Sequence, residues 1–349
     1  SEAACHACPA GLSTHGADGM SFCSGCDHGY YTNESGLSSC KACEGGQYST
    51  VENATTCMDC PAGRYSVDHL TVCVECEVGR FQHRDGESHC IVCPAGQYQD
   101  SIGSNSSCIS CPVGRYETDV ESSTCAGCAP GQFQNSTGSN SSCLQCFVGT
   151  FEPRNASSRC IVCDVGKYQN MRGSMTGCVD CSPGFYQNLT SSSLCVKCDF
   201  GTYSDVVGRS QSCDPCIAGW FANSTGHSDC VPCSAGWFSS TIGLSICAQC
   251  EAGEFSELSA SVCQNCSVGH YGDRLALSVC DECGGGLFAP GEGYSECDAC
   301  SEGYFAVEGM SRCAECQPGR FGAEPGLANC TLCAAGRFGN ESAKSSSEA

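Results

Sequence analysis

Pairs of cysteines separated by two residues recur along the whole chain and limit its fold more than any other feature. Twenty such Cys-x-x-Cys pairs, 16 to 18 residues apart, use all 40 cysteines of the 349 residues. Repetition at one period indicates a tandem array in which each repeat packs on its neighbours. A cysteine content above a tenth is typical of disulfide scaffolds, so no conventional hydrophobic core is predicted. We assign residues 1–338 to the array and the Ser/Glu-rich residues 339–349 to a tail or inter-subunit linker.

Residues 93–111 show the repeat unit. A glycine follows the second cysteine of each pair by three residues in all 20 repeats, which predicts a backbone with positive φ or a close approach. An aromatic residue stands two positions later in 19 repeats, with Ser13 as the exception. We predict that it packs on disulfide sulfur and on the next repeat; an aromatic ladder that binds a ligand is the alternative. The Ser/Thr/Asn/Gly-rich run that follows predicts a strand, a turn and a return strand.

Disulfides and zinc both fit the cysteine spacing, since Cys-x2-Cys pairs at this separation resemble zinc ribbons. Asparagine favours disulfides, because 11 of the 12 asparagines lie in Asn-x-Ser/Thr, as expected of glycan acceptors in a secreted and oxidising compartment. Two of them, Asn265 and Asn329, have cysteine as the middle residue and are the weaker acceptors. The other predicted acceptors are Asn33, Asn53, Asn105, Asn135, Asn140, Asn155, Asn188, Asn223 and Asn340.

Charge and hydropathy exclude several classes of protein. The net charge of −22 disfavours a nucleic-acid partner and an anionic membrane surface. The sequence contains no apolar run of about 20 residues, so no membrane span is predicted. Because the chain starts at Ser1 without a signal peptide, we expect it to be a mature or trimmed product. No nucleophile, phosphate loop or metal motif stands out, so we predict neither an enzyme nor a cofactor other than covalent N-glycans. Trp220 and Trp237 precede the aromatic of adjacent repeats and are candidates for an exposed contact patch.

Two stretches carry a family resemblance. Cys60 to Cys76 and Cys111 to Cys128 both read Cys-Pro-Ala/Val-Gly-Arg-Tyr and end in Cys-x-x-Cys. They resemble the ephrin-receptor-like cysteine-rich repeat, and they are similar to the first half-module of tumour-necrosis-factor-receptor cysteine-rich domains. The likeness extends from Cys5 to Phe338 and implies an extracellular, elongated, disulfide-laddered protein. Unlike those receptors, the chain has 20 repeats in unbroken series with no ligand-binding domain beside them.

Two disulfide patterns are compatible with the repeats. In the local pattern, which is that of the similar receptor half-module, the second cysteine of each pair bonds the first of the next. In the crossed pattern, first bonds first and second bonds second in paired repeats. We favour the local pattern, which leaves Cys5 and Cys333 without a partner. Its bonds run in series along the array, beginning Cys8–Cys23 and Cys26–Cys40 and including Cys93–Cys108 and Cys111–Cys125.

The expected fold is a small, disulfide-rich, mostly β array, an elongated solenoid-like rod of about 20 stapled β-hairpins. The expected function is structural: a secreted or cell-surface glycoprotein that assembles head to tail into a fibre or surface appendage. Copies of the same chain are then the partners, and Cys333 of one copy bonds Cys5 of the next. A contact of this kind that does not close gives a filament. The alternative is a stalk or ligand-binding ectodomain fragment of a surface receptor or adhesin.

Overall fold

The computed structural model describes residues 5–68 and 71–346, so the last three residues of the expected tail lie outside it. Each strand in those ranges is two residues long and pairs with one other strand in an antiparallel hairpin. Residues 5–68 and 71–346 include no helix, and hence none that could cross a membrane. The expectation of disulfide-stapled, mostly β repeats is confirmed. The chain forms two compact units, Ser1–Cys163 with Gln169–Cys178 and Asp164–Tyr168 with Val179–Ala349.

The first unit contains hairpins 1 to 9. Their paired strands are, in order, Leu12–Ser13 with Ser24–Gly25, Tyr30–Tyr31 with Lys41–Ala42, Gln47–Tyr48 with Met58–Asp59, Arg64–Tyr65 with Val74–Glu75, Arg80–Phe81 with Ile91–Val92, Gln97–Tyr98 with Ile109–Ser110, Arg115–Tyr116 with Ala126–Gly127, Gln132–Phe133 with Leu144–Gln145, and Thr150–Phe151 with Ile161–Val162.

The second unit contains hairpins 10 to 19. Their paired strands are, in order, Lys167–Tyr168 with Val179–Asp180, Phe185–Tyr186 with Val196–Lys197, Thr202–Tyr203 with Asp214–Pro215, Trp220–Phe221 with Val231–Pro232, Trp237–Phe238 with Ala248–Gln249, Glu254–Phe255 with Gln264–Asn265, His270–Tyr271 with Asp281–Glu282, Leu287–Phe288 with Asp298–Ala299, Tyr304–Phe305 with Ala314–Glu315, and Arg320–Phe321 with Thr331–Leu332.

A tight turn explains the recurring glycine. Before hairpin 6 the backbone N–H of Gln97 donates to the carbonyl of Pro94 at 3.1 Å, and Gly96 has a φ of 84°. A four-residue turn with positive φ at its third residue is of type II, which requires glycine there. The equivalent glycine has a φ between 72° and 92° in all 20 repeats, as the sequence predicts. The return strand lies between the two cysteines of the next pair, such as Ile109–Ser110.

All cysteines except Cys5 and Cys333 form disulfides, and the pairing is local. Each of the 19 bonds joins the second cysteine of one pair to the first of the next, across 13 to 15 residues. Closing a loop of this length stabilises each hairpin by about 3 kcal/mol in the chain-entropy account. The staples therefore substitute for the hydrophobic core that a unit of this size cannot build.

Hydrogen bonds join successive hairpins in the first unit through one position, the third residue after the turn glycine, here called the bridge position. The carbonyl of Gln99, at the bridge position of hairpin 6, accepts from Gly79 N at 2.8 Å, and its own N–H donates to Ser122 O at 3.1 Å. The residue thus connects the hairpin before it and the hairpin after it. The turn glycine approaches more distant backbone: a Cβ on Gly96 would lie 2.2 Å from the carbonyl oxygen of Gly138, two hairpins further along.

The second unit repeats the scheme, and in hairpin 15 a smaller residue occupies the bridge position. Ser256 accepts at its carbonyl from Gly236 N at 2.8 Å and donates to Leu277 O at 3.1 Å. Its hydroxyl donates to the carbonyl of Trp237 at 3.0 Å. A Cβ on Gly236 would lie 2.0 Å from the carbonyl oxygen of Ala276. One backbone frame therefore recurs in both units, and the side chain at the bridge position varies.

The buried interior differs from the predicted one. The aromatic residues are only partly buried, because a two-residue strand pair offers each ring little cover. The second cysteine of most pairs is fully buried, and so is the bridge position. Among the described residues, no buried side-chain nitrogen or oxygen atom lacks a hydrogen-bond partner. Residues exposed by 5% or less at the bridge position are Thr32, Ser49, Ser66, Gln82, Gln99, Gln134, Glu152, Gln169, Gln187, Ser204, Ala222, Ser239, Ser256, Ala289 and Ala306.

Candidate functional site: unpaired thiols, acceptor asparagines and aromatic clefts

Two cysteines stand outside the disulfide series, and they are of opposite kinds. Cys5 is the first cysteine of its pair and is exposed, whereas Cys8, the second, bonds Cys23. Cys333 is the second cysteine of its pair and is partly exposed, whereas Cys330, the first, bonds Cys316. Everywhere else a second cysteine bonds a first. Cys333 and Cys5 therefore have the same positions in their pairs as the two cysteines of every other disulfide, a second cysteine and a first one.

The repeat that begins at Cys333 packs like the others but lacks a return strand among the described residues. Gly319 N donates to Gly339 O at 2.9 Å, and Ala343 N donates to Cys316 O at 3.0 Å, so residues 339–343 continue the array. Its aromatic residue, Phe338, lies in no strand and is 82% exposed, whereas the aromatics of hairpins 2 to 19 are partly buried. An open strand position and an exposed ring thus accompany the thiol of Cys333.

All 11 acceptor asparagines are exposed. Asn265 lies in a return strand, directly before the buried Cys266, which is where glycan attachment would disturb the hairpin most. Five acceptors share one position, two residues after the aromatic, and these are Asn33, Asn135, Asn188, Asn223 and Asn340. Residues two apart in extended backbone point to the same side. Each of the five amides is therefore expected on the same side as its aromatic ring.

The two tryptophans begin neighbouring hairpins, and each of them lines a cleft. Both indoles are partly buried. The first cleft has a volume of about 200 Å³ and lies between Tyr203 and Trp220, with Asp229 at its edge. The second has a volume of about 270 Å³ and lies between Phe221 and Trp237. In both, the aromatic of one hairpin and the first strand residue of the next line the same cleft.

A third cleft has the same construction, with Phe288 of hairpin 17 and Tyr304 of hairpin 18. Sequence analysis found the tryptophans but missed their partners. The available signal was an aromatic residue directly before the repeat's own aromatic, which places two rings from adjacent hairpins side by side. Each of the three clefts is lined by the first of two successive aromatic residues, namely Trp220, Trp237 and Tyr304.

The surface is acidic, with a small number of ion pairs. The Arg80 guanidinium donates a hydrogen bond to Glu121 and lowers the pKa of that exposed carboxyl. At the bridge position of hairpin 9, burial acts to raise the pKa of Glu152, but hydrogen bonds from the backbone and guanidinium of Arg154, at 3.0 and 3.2 Å, outweigh it and lower the pKa. Among the residues described, no group of three His, Cys, Asp or Glu side chains is placed to hold a metal ion.

Comparison with known families supports the sequence resemblance over part of the chain. Residues 63–107 match the family described as tyrosine-protein kinase ephrin type A/B receptor-like. This stretch contains both strands of hairpins 4 and 5 and the Cys76–Cys90 staple, so the resemblance to the ephrin-receptor-like repeat is confirmed there. No curated protein matches the chain. The repeats are of a cysteine-rich, receptor-like, extracellular type, and the same hairpin and staple recur on both sides of the matched stretch.

Proposed function

We propose that this chain is a structural segment of a secreted, N-glycosylated protein whose copies join head to tail in an extracellular fibre or surface appendage. The observation that carries the proposal is the pair of unpaired thiols of opposite kind, Cys5 and Cys333. A bond between Cys333 of one copy and Cys5 of another continues the staple series across the joint. Two thiols lose two protons and two electrons to an oxidant of the secretory compartment or, by exchange, to another disulfide.

The residues after Cys333 support a partner from another polypeptide. A local staple from Cys333 would end 13 to 15 residues later, and Ser346, Ser347 and Glu348 occupy those positions. Beside Phe338 the position of the return strand is empty among the described residues. In hairpins 1 to 19 this position is filled by the two residues inside the next Cys-x-x-Cys pair. The segment from Cys5 to Cys8 of a second copy has that form, because its middle residues lie in no strand and its first cysteine is unbonded. This joint would cover the Phe338 ring as the other aromatics are covered.

Non-reducing electrophoresis of the whole chain, secreted from a eukaryotic cell, tests the joint. We expect a series of covalent oligomers that reduction removes, and a peptide linking Cys5 to Cys333 in mass spectra of the digest. The Cys333→Ser variant should be monomeric, with the 19 other bonds intact. Electron microscopy of the unreduced wild type should show filaments that the variant lacks. A wild type in which both thiols of the monomer are alkylated by iodoacetamide would overturn the fibre proposal.

A second function is favoured by one observation, the match of residues 63–107 to a receptor-like family. In that case the array is the stalk or ectodomain of a surface receptor or adhesin and holds another domain away from the membrane. Monomers with both thiols open to alkylation agree with this function. A transmembrane segment in the full-length protein would favour it further.

A further inference from the structure

We propose that Asn223 carries an N-glycan whose first N-acetylglucosamine packs in the cleft between Phe221 and Trp237. The inference rests on the secreted, N-glycosylated character assumed in the proposed function, and it assigns a role to one aromatic cleft. Asn223 itself lines that cleft, together with Phe221, Ser234, Trp237, Ile246 and Cys247. The site and its occupant are therefore joined by one covalent bond, and no separate ligand has to be recruited.

The Asn223 amide is exposed and held by its neighbours. Its Oδ1 lies 3.3 Å from His227 Nε2, which donates when it carries the hydrogen. Ser224 Oγ lies 3.0 Å from the same nitrogen. The His227 contact is to the amide oxygen and not to Nδ2, the atom that a glycan would take, and Thr225 supplies the hydroxyl that the acceptor sequence requires.

The attachment is a group transfer from a lipid-pyrophosphate-linked oligosaccharide of the secretory pathway. Nδ2 of Asn223 attacks the anomeric carbon of the reducing-end N-acetylglucosamine. The bond between that carbon and the pyrophosphate oxygen breaks, and the lipid pyrophosphate leaves with the electron pair. Nδ2 loses one proton to the transferring enzyme's base. The neutral product keeps one N–H and adds a sugar ring at the mouth of the cleft.

The cleft suits one sugar ring. Its volume of about 270 Å³ falls just below the range of about 300–1,000 Å³ that is usual for drug-sized ligands. Phe221 stands two residues before Asn223, and Trp237 is the first strand residue of the next hairpin. The apolar C–H face of a pyranose carries partial positive charge, and the face of an aromatic ring carries partial negative charge. The two rings therefore offer the sugar a matching surface.

The chain contains two matched controls. The cleft of Tyr203 and Trp220 has the same construction, but Asp205 occupies the acceptor position, so no glycan can attach there. Asn188 is an acceptor in the same position as Asn223, but the next hairpin begins with Thr202 instead of tryptophan. One control has a cleft without a glycan, and the other has an acceptor without the indole.

The experiment uses the whole chain secreted from an N-glycosylating eukaryotic cell and labelled with 5-fluorotryptophan. Because the chain has two tryptophans, it gives two fluorine signals, which Trp220→Phe and Trp237→Phe assign. Glycans are trimmed to a single N-acetylglucosamine with an endoglycosidase, and mass spectrometry measures the occupancy of each acceptor. We expect Asn223→Gln to shift the Trp237 signal and to leave Trp220 unchanged. Asn188→Gln should move neither signal.

Hydrogen exchange gives a second measurement that does not depend on the label. Residues 234–249, which form hairpin 14, should exchange about five-fold faster in Asn223→Gln than in the glycosylated chain, as expected for one aromatic stacking contact. Trp237→Ala should remove that difference. An unmodified Asn223 beside an occupied Asn188, or an occupied Asn223 without a Trp237 shift, would overturn the inference. The electrophoresis of the Cys333 joint is unaffected by either result, so the two proposals can fail separately.

Discussion

The regions around hairpin 6 and around hairpin 16 fill the space beside the bridge position in two ways. In hairpin 6 the bridge residue Gln99 donates from Nε2 to Ser106 O at 3.2 Å and accepts at Oε1 from Ser101 N at 3.3 Å, so a long amide binds its own turn. In hairpin 16 the bridge residue is Gly272, and the buried Leu277 of the same turn occupies the space, since a Cβ on Gly272 would lie 2.5 Å from Leu277 Cδ1.

A parallel bridge to the preceding hairpin accompanies different fillers, since Ala260 of hairpin 15, whose bridge residue is Ser256, also pairs with Phe238. Leu277 forms a parallel bridge with Phe255 of the preceding hairpin, and Leu327 forms the same bridge with Phe305. A Cβ on Gly322, the bridge residue of that later hairpin, would lie 3.3 Å from Leu327 Cδ1. The staple and the turn glycine therefore set a common backbone frame, and polar and apolar side chains are alternative ways to fill it.

The largest effect is expected where the two regions are alike. Gly96→Ala and Gly236→Ala each force positive φ on alanine and bring a Cβ to 2.2 and 2.0 Å from a carbonyl oxygen two hairpins away. We expect each to lower the local stability by about 3 kcal/mol, the upper range for backbone strain of this kind. Hydrogen exchange of the two affected hairpins measures it. Gly177→Ala, with no atom within 4 Å, is the neutral control. Unequal losses in the two regions would contradict a common frame.

The apolar filler should show the next largest effect. Leu277→Ala removes a buried side chain, and we expect a loss of about 2–3 kcal/mol in hairpin 16. Gly272→Ala alone should also destabilise, because its methyl collides with Leu277. The double variant should be more stable than the sum of the single losses predicts, since each change makes room for the other. Local exchange rates of wild type, the two single variants and the double variant give the coupling free energy between the two positions. Additive losses would show that the two side chains do not compete for the same space.

The polar filler should show a smaller effect. Gln99→Leu keeps the side-chain volume and removes the bonds to Ser106 O and Ser101 N, which lie near solvent. We expect hairpin 6 to lose about 1–2 kcal/mol, the cost of leaving such groups without a partner. Ile102→Ala, in the same turn and 66% exposed, is the control that should not differ from the wild type. Equal exchange rates in Gln99→Leu and wild type would show that the amide acts only by volume.

The smallest effect is expected from the acidic filler, and it depends on pH. Because the folded-state pKa of Glu152 is lowered, its ionised form stabilises the folded state at pH above about 4.3, the unfolded value. That contribution is lost as the pH falls through the folded pKa. Wild type should therefore exceed Glu152→Gln in the exchange protection of hairpin 9 at pH 6, and the gap should be smaller at pH 3. A gap that is equal at both pH values would contradict the assignment.

Sequence reasoning predicted the hairpins and the turn glycine because both leave a fixed residue type at a fixed spacing. It missed the bridge position because glutamine, glutamate, serine, threonine, alanine and glycine all occur there, so no single residue type recurs. What these residues share is that none is aromatic, lysine or arginine. The clefts were missed for a different reason. Trp237 is visible in the sequence, but its neighbour Phe221 belongs to another hairpin, and only the stacking brings the two rings together.

The local staples also determine how the chain would respond to a pulling force. Between one disulfide and the next, tension passes through only the two residues inside a Cys-x-x-Cys pair, and the 13 to 15 residues of each loop carry none. While the bonds are intact, little slack is available. Reduction of one bond would release roughly 40–45 Å of hidden length, at about 3.3–3.6 Å for each residue and less the 5.7 Å that the bonded Cα atoms already span. The array would lengthen in discrete steps under reducing conditions and resist extension under oxidising ones.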